Sequence, residues 1–122
     1  MYSDLKPLIV GDALDLHGTS ASALYTLVLP TGHREIVVRV ITTTVTTQIN
    51  SSQAAGVLLY NGSTLVKTCS TVAKNAAVGV TNYDEIADGT AGQRFKAGDS
   101  LIVKNGTKAD TAGKVQVILW ID

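Results

Sequence analysis

Apolar and polar positions alternate through most of the chain, most clearly at its end. In Lys114-Val115-Gln116-Val117-Ile118-Leu119-Trp120-Ile121-Asp122 a period of two puts Val115, Val117, Leu119 and Ile121 on one face. Lys114, Gln116, Ile118 and Trp120 fall on the other. Phe95 to Lys104 is a second β-rich run, and the Asn-Gly and Ala-Gly pairs between the two make a strand–loop–strand unit. Ala23 to Leu29 predicts a strand ending in the turn Pro30-Thr31-Gly32-His33. The longest strand expected is Arg34 to Thr47, with Ile36, Val38 and Val40 toward the core and Glu35, Val37, Arg39 and Ile41 outward. Gly56 to Tyr60 is a short apolar strand, and Asn61-Gly62 after it is the strongest hairpin signal. The return strand is expected over Ser63 to Ala73 and a further one over Ala76 to Tyr83. Asp84 to Gly92 then reads as a surface loop.

No stretch sustains a helical period. About seven or eight strands, recurring roughly every 8 to 15 positions, predict an all-β chain: an antiparallel β-sandwich without crossover helices. A jelly-roll arrangement is preferred over an immunoglobulin-like one because no Cys–Trp–Cys pattern exists. Residues 1–22 depart from this rhythm, since Leu5, Leu8, Ile9, Val10, Leu14 and Leu16 are scattered among Pro7, Gly11 and Gly18. Two readings stand for them: an extended N-terminal arm reaching a neighbouring subunit, or a first strand laid on its own sandwich. The expected organisation is an arm over 1–22 and one sandwich domain over 23–122.

Composition narrows the function. The chain has 122 residues, 45% of them hydrophobic but only 5% aromatic, so the apolar content is Val, Leu, Ile and Ala, which suits sheets. Charged residues make up 16% and the net charge is zero, which gives no electrostatic footprint for nucleic acid or an anionic membrane. Near-neutral charge favours association, so a homo-oligomer or a permanent partner is expected. The N-terminus lacks the basic and apolar regions of an export signal, and no run is long enough to span a membrane. Three Asn-x-Ser/Thr triplets, at Asn50, Asn61 and Asn105, read as turn chemistry.

Candidate chemistry is sparse. Cys69 is the only cysteine; without a base or an oxyanion site it reads as a small buried hydrophobe. His17 lies in the arm and His33 in a turn. Ser100, His33 and Asp99 offer a triad on paper, yet no Gly-x-Ser-x-Gly elbow accompanies them. Asp84, Glu85 and Asp88 precede a glycine-rich turn but lack the ligand spacing of a calcium loop, and Gly89 to Arg94 lacks the ending of a phosphate loop. No catalytic, cofactor or metal site is expected. The departure from a bland surface is apolar: Ile118 and Trp120 share an outward face with Lys and Gln, and Val37 and Ile41 repeat the anomaly. Large apolar residues on an outer face mark contacts.

Taken whole, the chain resembles the small decoration, or cement, proteins of tailed bacteriophage heads. The start Met1-Tyr2-Ser3-Asp4, the loose stretch to Ser22, the Thr/Val/Ala-rich body and the closing runs from Phe95 and Ala112 carry the likeness. It implies a non-enzymatic virion protein, commonly a homotrimer, that sits on the capsid exterior, binds the major capsid protein and is made in the host cytoplasm. The candidate subunit or capsid interface is Leu5, Leu8, Ile9, Val37, Ile41, Ile118 and Trp120. One rival is a carbohydrate- or receptor-binding module of a fibre or spike, which predicts Tyr60, Tyr83 or Trp120 around one groove. A cupin-type enzyme would instead need His17 and His33 to converge with a carboxylate on a metal.

Overall fold

A computed structural model describes residues 5–16, 22–32, 34–50, 55–106 and 112–122; Tyr2, His17 and His33 lie outside them. Nine strands are present among the described residues: β1 (Lys6–Asp15), β2 (Ala23–Val28), β3 (Ile36–Asn50), β4 (Val57–Asn61), β5 (Thr64–Thr68), β6 (Thr81–Glu85), β7 (Arg94–Phe95), β8 (Ser100–Asn105) and β9 (Ala112–Ile121). They form two antiparallel sheets, ordered β1-β9-β3-β6 and β2-β8-β4-β5, with β7 pairing β3 off the first path. The chain is an all-β sandwich. Its pairing is nested: β1 with β9, β2 with β8, β3 with β6 and β4 with β5. Successive pairs alternate between the sheets, so the chain runs as a ribbon doubled back at the β4–β5 turn.

The core lies between the sheets and is aliphatic; among the described residues Phe95 is its one fully buried ring, with Tyr25 packed at its margin. Val115, Val117 and Leu119 are fully buried there and Ile121 packs at its margin, whereas Gln116, Ile118 and Trp120 are half-buried on the reverse of β9. This is the two-faced strand that the alternation predicts.

Strand β3 corrects its expected faces. Val38 pairs Ile121 and Val40 pairs Trp120, so Arg39 is one residue too many and the register shifts there. Such a bulge inverts the parity of everything beyond it. Ile36 and Val38 face the core as expected, but from Ile41 onward the core face is Ile41, Thr43 and Val45. Ile41, expected outward, is therefore a core residue, and Val40 takes the outer position.

The N-terminal stretch is also placed differently from an arm. Lys6–Asp15 pairs with β9 along its length, as edge strand β1 of the chain's own sheet. Its register breaks on either side of Gly11, where a Cβ would collide with the Leu14 side chain. The two breaks cancel in parity, so the even-numbered Leu8, Val10, Leu14 and Leu16 all turn toward the core.

Two expected strands are shorter than their apolar content suggests. β5 stops at Thr68, and β6 begins only at Thr81. Ala76 to Val80 is taken up by turns, with Ala76 N–H bonded to Ala73 O and Val80 N–H to Ala77 O. Asn75 and Gly79 hold positive φ there, at 61° and 98°. The β4–β5 hairpin uses Gly62 and Ser63 as its two-residue loop, with Gly62 at φ 59°. Asn61 is the last residue of β4, and its Nδ2 donates to Gly92 O at 3.1 Å and Arg94 O at 3.3 Å, tying the turn to β7.

Buried polar side chains hold the irregular parts. Gln93, 1% exposed, donates from Nε2 to Val38 O (3.0 Å) and Ile86 O (3.4 Å), while its Oε1 accepts Gly89 N–H (3.1 Å). It thereby pins the 86–93 loop beside the β3 bulge. Asp84 accepts Ser70 N–H and its hydroxyl, and Asn82 Nδ2 donates to Thr71 O. The stretch after β5 is thus fastened to β6, across the side of the sandwich. Asn105 Nδ2 donates to Leu16 O at 3.1 Å, joining the end of β1 to β8.

Candidate functional site

The outer face of β1-β9-β3-β6 is assembled by register. Ile9 pairs Ile118, Ile118 pairs Thr42, and Thr42 pairs Tyr83. These four residues form one row crossing all four strands. The adjacent row is Pro7, Trp120, Val40 and Glu85, and the row on the other side continues through Gln116, Thr44 and Thr81. Four strands at about 4.8 Å spacing make the face roughly 15 to 20 Å across.

Exposure shows which of these side chains are available. Ile9 is 53% and Tyr83 58% exposed, at the two ends of the row. Ile118, Thr42 and Trp120 are half-buried between them, and Val40, opposite Trp120, is buried. The Trp120 indole N–H donates to Thr42 Oγ1 at 3.1 Å, so the ring lies across the sheet toward the next strand rather than standing away from it. That bond satisfies the polar edge of the ring and leaves its apolar body as surface. Thr44 and Thr81 close the polar margin with a 2.9 Å hydroxyl bond. Charge is confined to the periphery: Arg39 reaches Asp88 at 2.9 Å and Asp122 at 3.3 Å. The Asp88 carboxylate holds the Arg39 guanidinium above its ordinary pKa, against the opposing effect of burial.

Of the residues expected at an interface, Ile9, Ile118 and Trp120 stand together on this face. Leu8 pairs Leu119 and packs against the core, and Ile41 is within it. Val37 is buried outside the core cluster, and Leu5 is half-buried just before β1. Tyr83, Thr42 and Val40 were not expected there. Thr42 and Val40 depend on the bulge at Arg39, which no local sequence signal announces; Tyr83 was legible as an aromatic but not in its place beside Ile118.

The other sheet's outer face has a smaller counterpart in which Thr26, Ile102, Tyr60 and Leu65 follow one another in register. Lys104 Nζ sits 4.1 Å from the Tyr60 ring centroid. Tyr60 therefore lies on the opposite side of the sandwich from Tyr83 and Trp120, and the three do not surround one groove.

The remaining candidates are structural. Cys69 is buried and its thiol is pushed up to about 12, first by burial and then by the nearby Asp84 charge, with Lys67 opposing. Asp84 holds Ser70, Asp88 pairs Arg39, and Glu85 ends the Trp120 row, so the three carboxylates do not converge. Asp99 Oδ2 accepts Lys96 N–H within its own turn. Among the described residues, no group of three or more His, Cys, Asp or Glu side chains is placed to hold a metal ion. Comparison of the chain with family models, curated proteins and solved structures finds no match.

Proposed function

We propose that this chain is a non-enzymatic assembly subunit that docks, through the outer face of β1-β9-β3-β6, onto a repeating protein lattice, the exterior of a phage capsid built from major capsid protein. The observation that carries the reading is the row Ile9–Ile118–Thr42–Tyr83, flanked by Trp120 and Val40 and free of charged side chains. A patch whose Trp is already oriented by its bond to Thr42 loses less entropy on docking. A modest patch also suits a lattice, where neighbouring contacts multiply weak individual ones.

The nested pairing supports reading the sandwich as a jelly roll, because four successive ribbon pairs wrapped alternately into two sheets give the orders β1-β9-β3-β6 and β2-β8-β4-β5. That architecture serves several functions, so the docking face rather than the fold bears the proposal. The test is co-sedimentation of the purified chain with phage heads stripped of their own decoration protein. Saturable binding in fixed ratio to capsid subunits is expected. Protein left in the supernatant at every concentration, or selective capture on a glycan array instead, overturns the reading.

A further inference from the structure

Each sheet of the sandwich ends in two edge strands, and an edge presents unpaired N–H and C=O groups that can template another chain unless it is blunted. Three of the four edges carry such protection. β1 has Lys6, Pro7 and Asp15 and two breaks of register. β5 is five residues long, carries Lys67 and shifts register opposite Leu59 and Tyr60. β6 bears Asp84 and Glu85, and its Asn82 and Asp84 side chains are committed to the segment at Ser70 and Thr71. Lys6, Asp15, Lys67, Asp84 and Glu85 put charge on these three strands, which edge-to-edge pairing would have to desolvate.

β2, Ala-Leu-Tyr-Thr-Leu-Val, differs from all three. It has no charge, no proline and no glycine, among the described residues it ends its sheet with β8 as its one paired strand, and after one shift near Ala23 its register is regular from Tyr25 to Val28. The hydrogen-bonding direction of its backbone follows from the strand's end. Leu29 N–H bonds to Asp99 O and Gly98 N–H to Leu29 O, so alternation turns Leu27 and Tyr25 toward β8 and Thr26 and Val28 toward the open edge. Both outward residues are exposed, Val28 at 57%. On the inner side, Leu24, Tyr25 and Leu27 are only partly buried against the core, leaving apolar surface that an added strand would cover.

We infer that β2 pairs antiparallel with β2 of a second copy of this chain about a two-fold axis, extending β2-β8-β4-β5 into one sheet continuous across both subunits. An uncharged edge meets a copy of itself with no charge to desolvate, and the zero net charge of the whole chain adds no long-range barrier. The contact lies on the sheet opposite the docking face, so it stands whether or not that face binds a capsid. It differs from the trimer implied by the resemblance to cement proteins.

The test combines light-scattering mass with amide hydrogen exchange on the full chain. Wild type is expected at the mass of two chains, with the Thr26 and Val28 amides protected. Thr26→Pro removes an outward N–H while sparing the β8 ladder, and is expected to halve the mass and lose the protection at Val28 without changing the circular dichroism spectrum. Should that variant fail to fold, Val28→Lys sets two charges at the same junction and is expected to halve the mass. Leu65→Lys, on the β5 edge, leaves the mass unchanged. A wild type that is monomeric or trimeric, an oligomer whose Thr26 and Val28 amides exchange freely, or a mass unaltered by a folded β2 variant overturns the inference.

Discussion

Ile118 and Leu119 are sequence neighbours of similar size on opposite faces of β9, so truncating each to Ala removes the same three carbons from two different environments. Leu119 is 0% exposed and lies between Leu8 on β1 and Ile41 on β3. Three carbons at about 0.8 kcal/mol each give roughly 2.4 kcal/mol of lost transfer energy. The cavity left in a packed aliphatic core raises the expected cost of Leu119→Ala to about 3 to 4 kcal/mol. Ile118 is half-buried on the outer face, where water fills the space vacated. Ile118→Ala therefore keeps about half the transfer term and no cavity term, roughly 1 kcal/mol. Urea unfolding followed by fluorescence reads both, because Trp120 is the chain's only tryptophan. With a slope of about 2 kcal/mol per molar urea, the midpoint falls by about 1.5 to 2 M for Leu119→Ala and about 0.5 M for Ile118→Ala. Equal losses would refute the two-faced strand, and with it the exposed row built on Ile118.

Two buried polar residues are expected to respond in opposite directions. Gln93→Leu strips the partners from Val38 O and Ile86 O beside the β3 bulge and lowers stability by about 2 to 4 kcal/mol. Thr43→Val replaces a buried hydroxyl that has no hydrogen-bond partner and raises stability by about 0.5 to 2 kcal/mol in the same urea assay. Cys69 gives a pH signature. Its folded pKa of about 12 lies above the unfolded value near 9, so between those limits the unfolded state binds fewer protons and stability falls as pH rises. The slope is about 1.4 kcal/mol per pH unit while the unfolded thiol is ionised and the folded one is not. Cys69→Ala removes that part of the alkaline loss, and a slope that survives the substitution would assign it to other groups.

The sequence made β9 legible because its alternation is unbroken and its two faces differ in composition. It made the hairpin at Gly62 legible because an Asn-Gly pair demands a turn, although Asn61 turned out to serve through its side chain. The β3 faces were hidden: Val37, Val38, Val40 and Ile41 flank Arg39, and a run apolar in both parities cannot announce a bulge. In and just after β1 the core-facing Leu8, Val10, Leu14 and Leu16 do keep one parity, but Ile9 on the other parity and the interrupting Pro7, Gly11 and Asp12 masked it. Val78 and Val80 overstated the strand before Thr81, since the positive φ at Asn75 and Gly79 closes turns that β propensity cannot foresee. The site was half visible for the same reasons. Ile118 and Trp120 stood out on their own strand, but Ile9, Thr42 and Tyr83 join them only through pairings between segments more than thirty residues apart. Gln93, Asp84 and Asn105 likewise owe their roles to partners that lie far away in sequence or are set by the loop conformation.

The docking face is tested most directly by pelleting stripped phage heads with the wild type and two single variants whose circular dichroism matches it. Trp120→Ala removes the oriented ring from the β1-β9-β3-β6 face, and Tyr60→Ala removes an aromatic from the opposite sheet. The wild type and Tyr60→Ala are expected to pellet with the heads alike, while Trp120→Ala loses at least about tenfold in affinity, the equivalent of a single interface anchor worth about 1.4 kcal/mol or more. Undiminished binding by Trp120→Ala, or binding lost with Tyr60→Ala alone, would contradict the account.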